Sequence, residues 1–111
     1  MHQQNQELIQ TLLDCAIECN HCFDACLQEE NVKMMARCIK LDRDCADHCM
    51  QAASMLSSNS ELVKIMLKMC ADCCDMCAEE CEKHEHDHCK RCAEACRKCA
   101  EACRNFNPLR A

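Results

Sequence analysis

Small and apolar positions recur along this chain at alternating steps of three and four, and at most of those steps the residue is cysteine. From Cys89 the series runs Cys92, Cys96, Cys99 and Cys103, with Lys90, Arg91, Glu94, Arg97, Lys98 and Glu101 between them. Positions three and four apart share one face of an α-helix, so the spacing predicts a helix that turns five thiols one way and its charges the other. A bundle helix ordinarily shows Leu and Ile on that face. Here the stripe is sulfur.

The same period repeats three more times. A first helix is predicted over residues 6–29, carrying Cys15, Cys19, Cys22 and Cys26 and continued toward its start by Leu8 and Leu12. After a corner at Glu30 and Asn31, a second is predicted over residues 32–56, with Cys38, Cys45, Cys49 and Leu56 in line. Asp42 stands on that stripe where a cysteine is expected. The run Ser57, Ser58, Asn59 and Ser60 reads as a loop of residues whose side chains cap helices. The third helix reaches about residue 83, with Val63, Met66, Cys70, Cys74, Cys77 and Cys81 on one face and Cys73 at its flank. Asp87 is placed to cap the fourth, which ends near Asn105.

Four amphipathic helices joined by short corners predict an all-α, antiparallel up-down-up-down four-helix bundle with a cysteine-lined core, one domain over residues 1–111. That order sorts the remaining residues by end. Leu8, Leu12, Leu56, Val63, Met66 and Phe106 gather at an end plugged with hydrocarbon. Cys26, Met34, Met35, Cys81, His84, His86, His88 and Cys89 gather at the other, a mouth of soft and borderline metal ligands.

Composition supports the helical reading. Gly is absent, Pro occurs once, Trp and Tyr are missing and Phe occurs twice, which suits neither tight hairpins nor strands. The formal charge of −6 argues against a nucleic-acid surface. No apolar run is long enough to span a membrane. Seventeen cysteines in 111 residues would suit a disulfide scaffold. An odd count, regular helices and a start without an export signal point instead to free thiols in a reducing cytoplasm.

A core of cysteine buries less apolar surface than one of leucine, so the thiols are expected to bind metal. Thiolates one helical turn apart have Cβ atoms about 5–6 Å apart, and two metal–sulfur bonds of about 2.3 Å in line span a similar gap. Soft thiolates select Cu(I), which accepts two or three ligands. One Cu(I) per bridging thiolate leaves the core near neutral, whereas each isolated zinc with four thiolates buries two negative charges. The expected cargo is many Cu(I) ions per chain, on the order of 15 to 20, and a zinc or cadmium thiolate buffer of metallothionein type is the alternative. His84, His86 and His88 form either an outer copper site or a solvated polar corner. Met34 and Met35 are either weak thioether ligands at the mouth or core filling. Asp42 either joins the cluster or reaches an edge. His21 and His48 are expected on the surface, and His2 is expected to be disordered. Enzyme readings fit poorly: Glu18 with His21 and Glu85 with His88 match a di-iron spacing without matching core glutamates, and the CxxC pairs lie in mid-helix rather than at a helix start.

With these residues in view, the chain resembles the bacterial four-helix-bundle copper storage proteins over nearly its whole length. The carriers are the Cys15 to Cys26 series, the segment from Cys38 through Asp42 to Cys49, the third-helix series through Cys81, and the segment from Lys83 to Cys89. The resemblance implies a cytosolic store that holds Cu(I) along the bundle axis through pairs of thiolates, forms a homotetramer and admits copper at the histidine end. A twin-arginine leader marks an exported branch of that family, and a start reading Met1-His2-Gln3-Gln4-Asn5-Gln6 makes the cytosolic branch the expectation here. Two features depart from the family pattern: the Cys73–Cys74 doublet, and the methionines at the mouth. Second apolar strips, Ile9, Leu13, Ala16, Phe23 and Leu27 on the first helix and Leu62, Ile65, Met69 and Met76 on the third, suit either bundle packing or subunit contact. Copper is expected to arrive from a donor protein or chelator and to move inward between neighbouring thiolates, and the bundle is expected to fold without metal.

Overall fold

A computed structural model describes residues 3–107, and His2 lies outside them. Four helices, α1 (Gln3–Leu27), α2 (Ala36–Ser57), α3 (Val63–Cys81) and α4 (Asp87–Asn105), form a ring in which each packs on the next and α4 closes on α1. The rod measures 47 × 18 × 18 Å. The cysteine stripes turn inward as the period requires, and every cysteine but Cys73 is buried. Ala16, Ala46, Ala52, Ala53, Ala71, Ala78, Ala93 and Ala100 are buried beside them. Small residues there let the helices approach closely enough for thiols on facing helices to touch.

The element boundaries differ from the periodicity in instructive ways. α1 begins three residues before the predicted start, because polar pairs one turn apart, such as Gln3 donating to Glu7 at 3.0 Å, extend it past the apolar stripe. The second helix does not start at Val32: Val32–Met35 form a 3₁₀ turn and α2 follows. The tighter turn separates the two methionines, leaving Met34 67% exposed and Met35 2% exposed. α3 stops at Cys81 rather than near residue 83, its last turn tightened by the Lys83 amide donating to Glu80 and the His84 amide donating to Cys81. Asp87 is the first residue of α4, not its cap. His86 holds the cap position in extended conformation without a side-chain bond to the helix amides, and Asp87 acts through its charge on the positive end of the helix.

The serine loop is shorter than predicted, since Ser57 belongs to α2. A left-handed residue is needed to end that helix, and a chain without glycine supplies it with Asn59 at φ 56°. The Ser60 amide then donates to Met55 and the Asn59 amide to Leu56. Ser60 Oγ accepts from the Leu62 amide at 3.0 Å, which caps the approach to α3. Ser57 and Ser58 do the opposite, donating their hydroxyls back to Ser54 and Met55.

At the far end Leu8, Leu12, Leu56, Val63 and Met66 are buried, joined by Leu67, with Phe106 packed against them. Full burial of such a side chain contributes about 1.5–3 kcal/mol. This plug gives the bundle a source of stability that needs no metal. The α1 strip divides: Ile9, Leu13 and Ala16 pack within the bundle, Phe23 lies under the Arg43 guanidinium and Leu27 is half exposed. Leu62, just before α3, and Ile65, Met69 and Met76 on it are all about half exposed or more.

Candidate metal centre

The buried thiols form a continuous column along the bundle axis. Nearest the mouth, Cys22, Cys26, Cys38 and Cys89 make one group whose sulfurs lie within 4.8 Å of one another. Below it come Cys22, Asp42, Cys81 and Cys92, then Cys19, Cys77, Cys92 and Cys96, then Cys15, Cys19, Cys45 and Cys96, then Cys15, Cys49, Cys74 and Cys99. The column continues to Cys70, 3.7 Å from Cys49, and to Cys103 beside Cys70 and Cys99. Contacts between helices are close: Cys45 to Cys74 is 3.4 Å, Cys38 to Cys81 is 3.5 Å and Cys19 to Cys96 is 3.6 Å. Two metal–sulfur bonds of about 2.3 Å set their sulfurs about 4.0 Å apart at 120° and about 4.6 Å apart in line. The column matches the first spacing and needs only slight expansion for the second. Cys73 is half-buried at the edge of the column.

Asp42 lies inside the column, with no exposed surface. Its Oδ1 accepts from the Cys77, Cys92 and Cys81 thiols at 3.2, 3.4 and 3.7 Å, and its Oδ2 from Cys38 at 3.8 Å. Burial pushes its carboxyl up to about 11, and the nearby Cys92, Cys77 and Cys38 act in the same direction. The metal-free core therefore holds Asp42 neutral. Burial likewise pushes the Cys26 thiol above its ordinary range. Neighbouring thiols act the other way on some members of the column, holding Cys38 and Cys77 below the ordinary range. A thiol that gives up its proton as it binds Cu⁺ exchanges one positive charge for another, so the core acquires no net charge at that step.

At the mouth the three predicted histidines divide. His88 points inward: its Nδ1 is 3.4 Å from Cys22, 3.5 Å from Cys89 and 4.0 Å from Cys26. His86 stacks on it with ring centres 5.2 Å apart. His84 faces Glu80 at 2.9 Å instead. A cavity of about 260 Å³ opens between Glu29, Glu30, Asn31, Met34, Met35, His84 and His86. Met34, Met35, His84 and His86 thus share a vestibule at the mouth, Met34 being the most exposed of them. His21 is exposed and His48 half-buried, its Nδ1 donating to the Asp44 carbonyl at 2.8 Å.

Sequence reasoning missed two carboxylates. Glu80 is buried and accepts from His84, Arg37 and Lys83, which hold its carboxyl low although burial opposes them. Its spacing of four from His84 was a legible signal. Glu29 meets His88 at 2.7 Å and His86 at 3.4 Å, and the His88 hydrogen bond holds its carboxyl below the usual range. Nothing in the spacing announces that pair, because 59 residues separate Glu29 from His88.

Residues 1–108 match the family described as copper storage protein. A cysteine-rich protein of Bacillus subtilis strain 168, YhjQ, is 45% identical over 90 residues, 81% of this chain and 83% of the relative. The Cu(I)-bound copper storage protein BsCsp3 superposes with a TM-score of 0.88 at 45% identity, covering 92% of this chain and 96% of that one. The metal-free form of the Bacillus subtilis protein gives 0.85 at 45%, covering 89% and 94%. The cytosolic copper storage protein of Streptomyces lividans with five coppers gives 0.88 at 38%, covering 98% and 94%. The Streptomyces lividans protein loaded with 10 copper equivalents gives 0.88 at 40%, covering 92% and 82%.

Proposed function

Since the chain belongs to the copper storage protein family, we propose that it stores and sequesters many Cu(I) ions in the thiol column and performs no catalytic turnover. The observation that carries this reading is the sharing of thiols: Cys15, Cys19, Cys22, Cys92 and Cys96 each belong to two of the overlapping groups. Isolated tetrahedral sites would each own their ligands. Overlap suits bridging thiolates, and Cu(I) with two or three ligands uses them.

In this reading the buried cysteines are the ligands, with Asp42 completing the group it shares with Cys22, Cys81 and Cys92. Copper reaches the vestibule from a donor protein or chelator, is held by His84, His86, Met35 and the outlying Met34, and passes His88 into the first thiol group. It then moves down the axis by exchange between neighbouring thiolates, and each thiol gives up its proton as it becomes a ligand. Residues 1–111 act as one domain in the cytosol. The exposed strip of Leu62, at the N-cap of α3, and Ile65, Met69 and Met76 along it suits a subunit contact in a homotetramer.

Substitution separates column from edge. Cys96 touches Cys15, Cys19, Cys45 and Cys92. In Cys96→Ala, the copper retained after anaerobic loading and desalting should fall by about one or two ions per chain, as expected of a thiolate bridging two metals. Cys73→Ala should retain the full complement. Equal losses in both variants, or none in either, would contradict the assignment of the column as the store.

A further inference from the structure

We propose that Glu29 is the positioning residue of the mouth: it fixes the His88 ring so that Nδ1 presents a free lone pair to the Cys22, Cys26 and Cys89 thiols. An ionised carboxylate can only accept, so the 2.7 Å contact between Glu29 Oε2 and His88 Nε2 requires the proton on Nε2. In the neutral ring Nδ1 is then unprotonated. That nitrogen is the one facing the three sulfurs, at 3.4 Å from Cys22, 3.5 Å from Cys89 and 4.0 Å from Cys26. A carboxylate behind a ligand imidazole sets its tautomer and orientation and raises its basicity.

Comparison with Glu80, the carboxylate that faces His84, shows why Glu29 is singled out. Glu80 faces His84 but is also paired with Arg37 at 3.2 Å and Lys83 at 3.4 Å, so it serves as the hub of an ordinary ion-pair cluster. Glu29 is engaged by imidazoles, His88 at 2.7 Å and His86 at 3.4 Å. The stacking of His86 on His88, with planes 6° apart, closes a three-residue unit around one carboxylate. Glu29 lies just beyond the end of α1 and His88 in the first turn of α4, so the pair also fixes the two chain segments that frame the first thiol group.

This role rests on the copper reading for its consequence but not for its geometry, and the test separates the two. Ring tautomers of His88 in the metal-free, reduced protein are read by long-range ¹H–¹⁵N correlation, whose ¹⁵N shifts distinguish each neutral tautomer from the doubly protonated ring. Copper loading is followed by anaerobic stopped-flow transfer from a Cu(I) chelator, together with final capacity. Wild type should show the single Nε2–H tautomer. Glu29→Ala should show both tautomers and load its first ions about tenfold more slowly, the low end of the range for losing such a partner, with unchanged capacity. Glu29→Gln, whose side-chain carbonyl still accepts from Nε2–H, should restore most of the tautomer preference and most of the rate. The proposal is overturned if Glu29→Ala keeps the single tautomer, whether or not loading slows, or if it loads at the wild-type rate. It is also overturned if Glu29→Gln is as impaired as Glu29→Ala, which would make charge rather than positioning the cause. Failure of wild type to take up Cu(I) would remove the copper reading, while the tautomer measurement on metal-free protein would still decide what Glu29 does to His88.

Discussion

Lowering the pH by two units from about 7.5 is expected to weaken retention of each Cu(I) about a hundredfold, a factor of ten per unit for each proton exchanged per ion. The cause is the protonation state of the metal-free column. Its thiols are buried, and burial works against the thiolate, as at Cys26, although contacts between thiols hold some, such as Cys38 and Cys77, below the ordinary range; Asp42 at about 11 is neutral. Wherever a thiol keeps its proton, copper must displace it to bind. The loaded state binds fewer protons than the metal-free state, so acid favours release and affinity falls as pH falls. Competition against a chelator calibrated at each pH gives the slope, and titration in weak buffer should detect about one proton released per ion. An affinity unchanged over this interval would mean that the thiolates are already ionised in the empty column. If Asp42 becomes a ligand it also loses its proton, which steepens the dependence for the ions it touches.

Loading should also make the bundle far harder to unfold. Each group of ligands draws on several helices; the outermost takes Cys22 and Cys26 from α1, Cys38 from α2 and Cys89 from α4. Unfolding separates them. A site that binds only the folded chain adds about 4.1 kcal/mol when free ligand is a thousandfold above its dissociation constant. Several such sites would exceed the total stability of an ordinary domain, about 5–15 kcal/mol. Followed by helical circular dichroism under anaerobic conditions, the loaded protein should stay folded at guanidinium concentrations that unfold the metal-free form. The metal-free form should itself be helical, because the plug of Leu8, Leu12, Leu56 and Leu67 does not depend on copper. The metal-free Bacillus subtilis relative, with a TM-score of 0.85, adopts the same bundle. Equal midpoints for the two forms would place the copper outside the column, and a metal-free chain without helical signal would contradict the independent role of the plug.

Periodicity carried most of the architecture because cysteine is small. A three-and-four stripe determines which face of a helix is buried, and a thiol on that face has no long side chain with which to reach elsewhere. The stripe therefore announced both the fold and the column, including the misfit of Asp42, which lies on it and is buried with it. The flank position of Cys73 was visible for the same reason. Local backbone choices were less legible. The 3₁₀ turn that sends Met35 inward and Met34 outward depends on how the chain turns the corner after α1, which no periodicity encodes. Asp87 missed the cap position by a single residue, a normal margin at a helix end. Contacts between residues distant in the chain were the least legible: Glu29 comes to His88 only once the bundle has closed.

The central claim, that overlapping thiol groups hold shared Cu(I), is tested most directly by anaerobic titration of the fully reduced protein with Cu(I) against a competing chelator, with zinc run in parallel. Sharing thiolates predicts tight uptake of well over ten Cu(I) per chain, on the order of one per cysteine, with zinc unable to compete. Saturation near about four metals per chain, with zinc binding on equal terms, would mean separate tetrahedral thiolate sites and would contradict the claim.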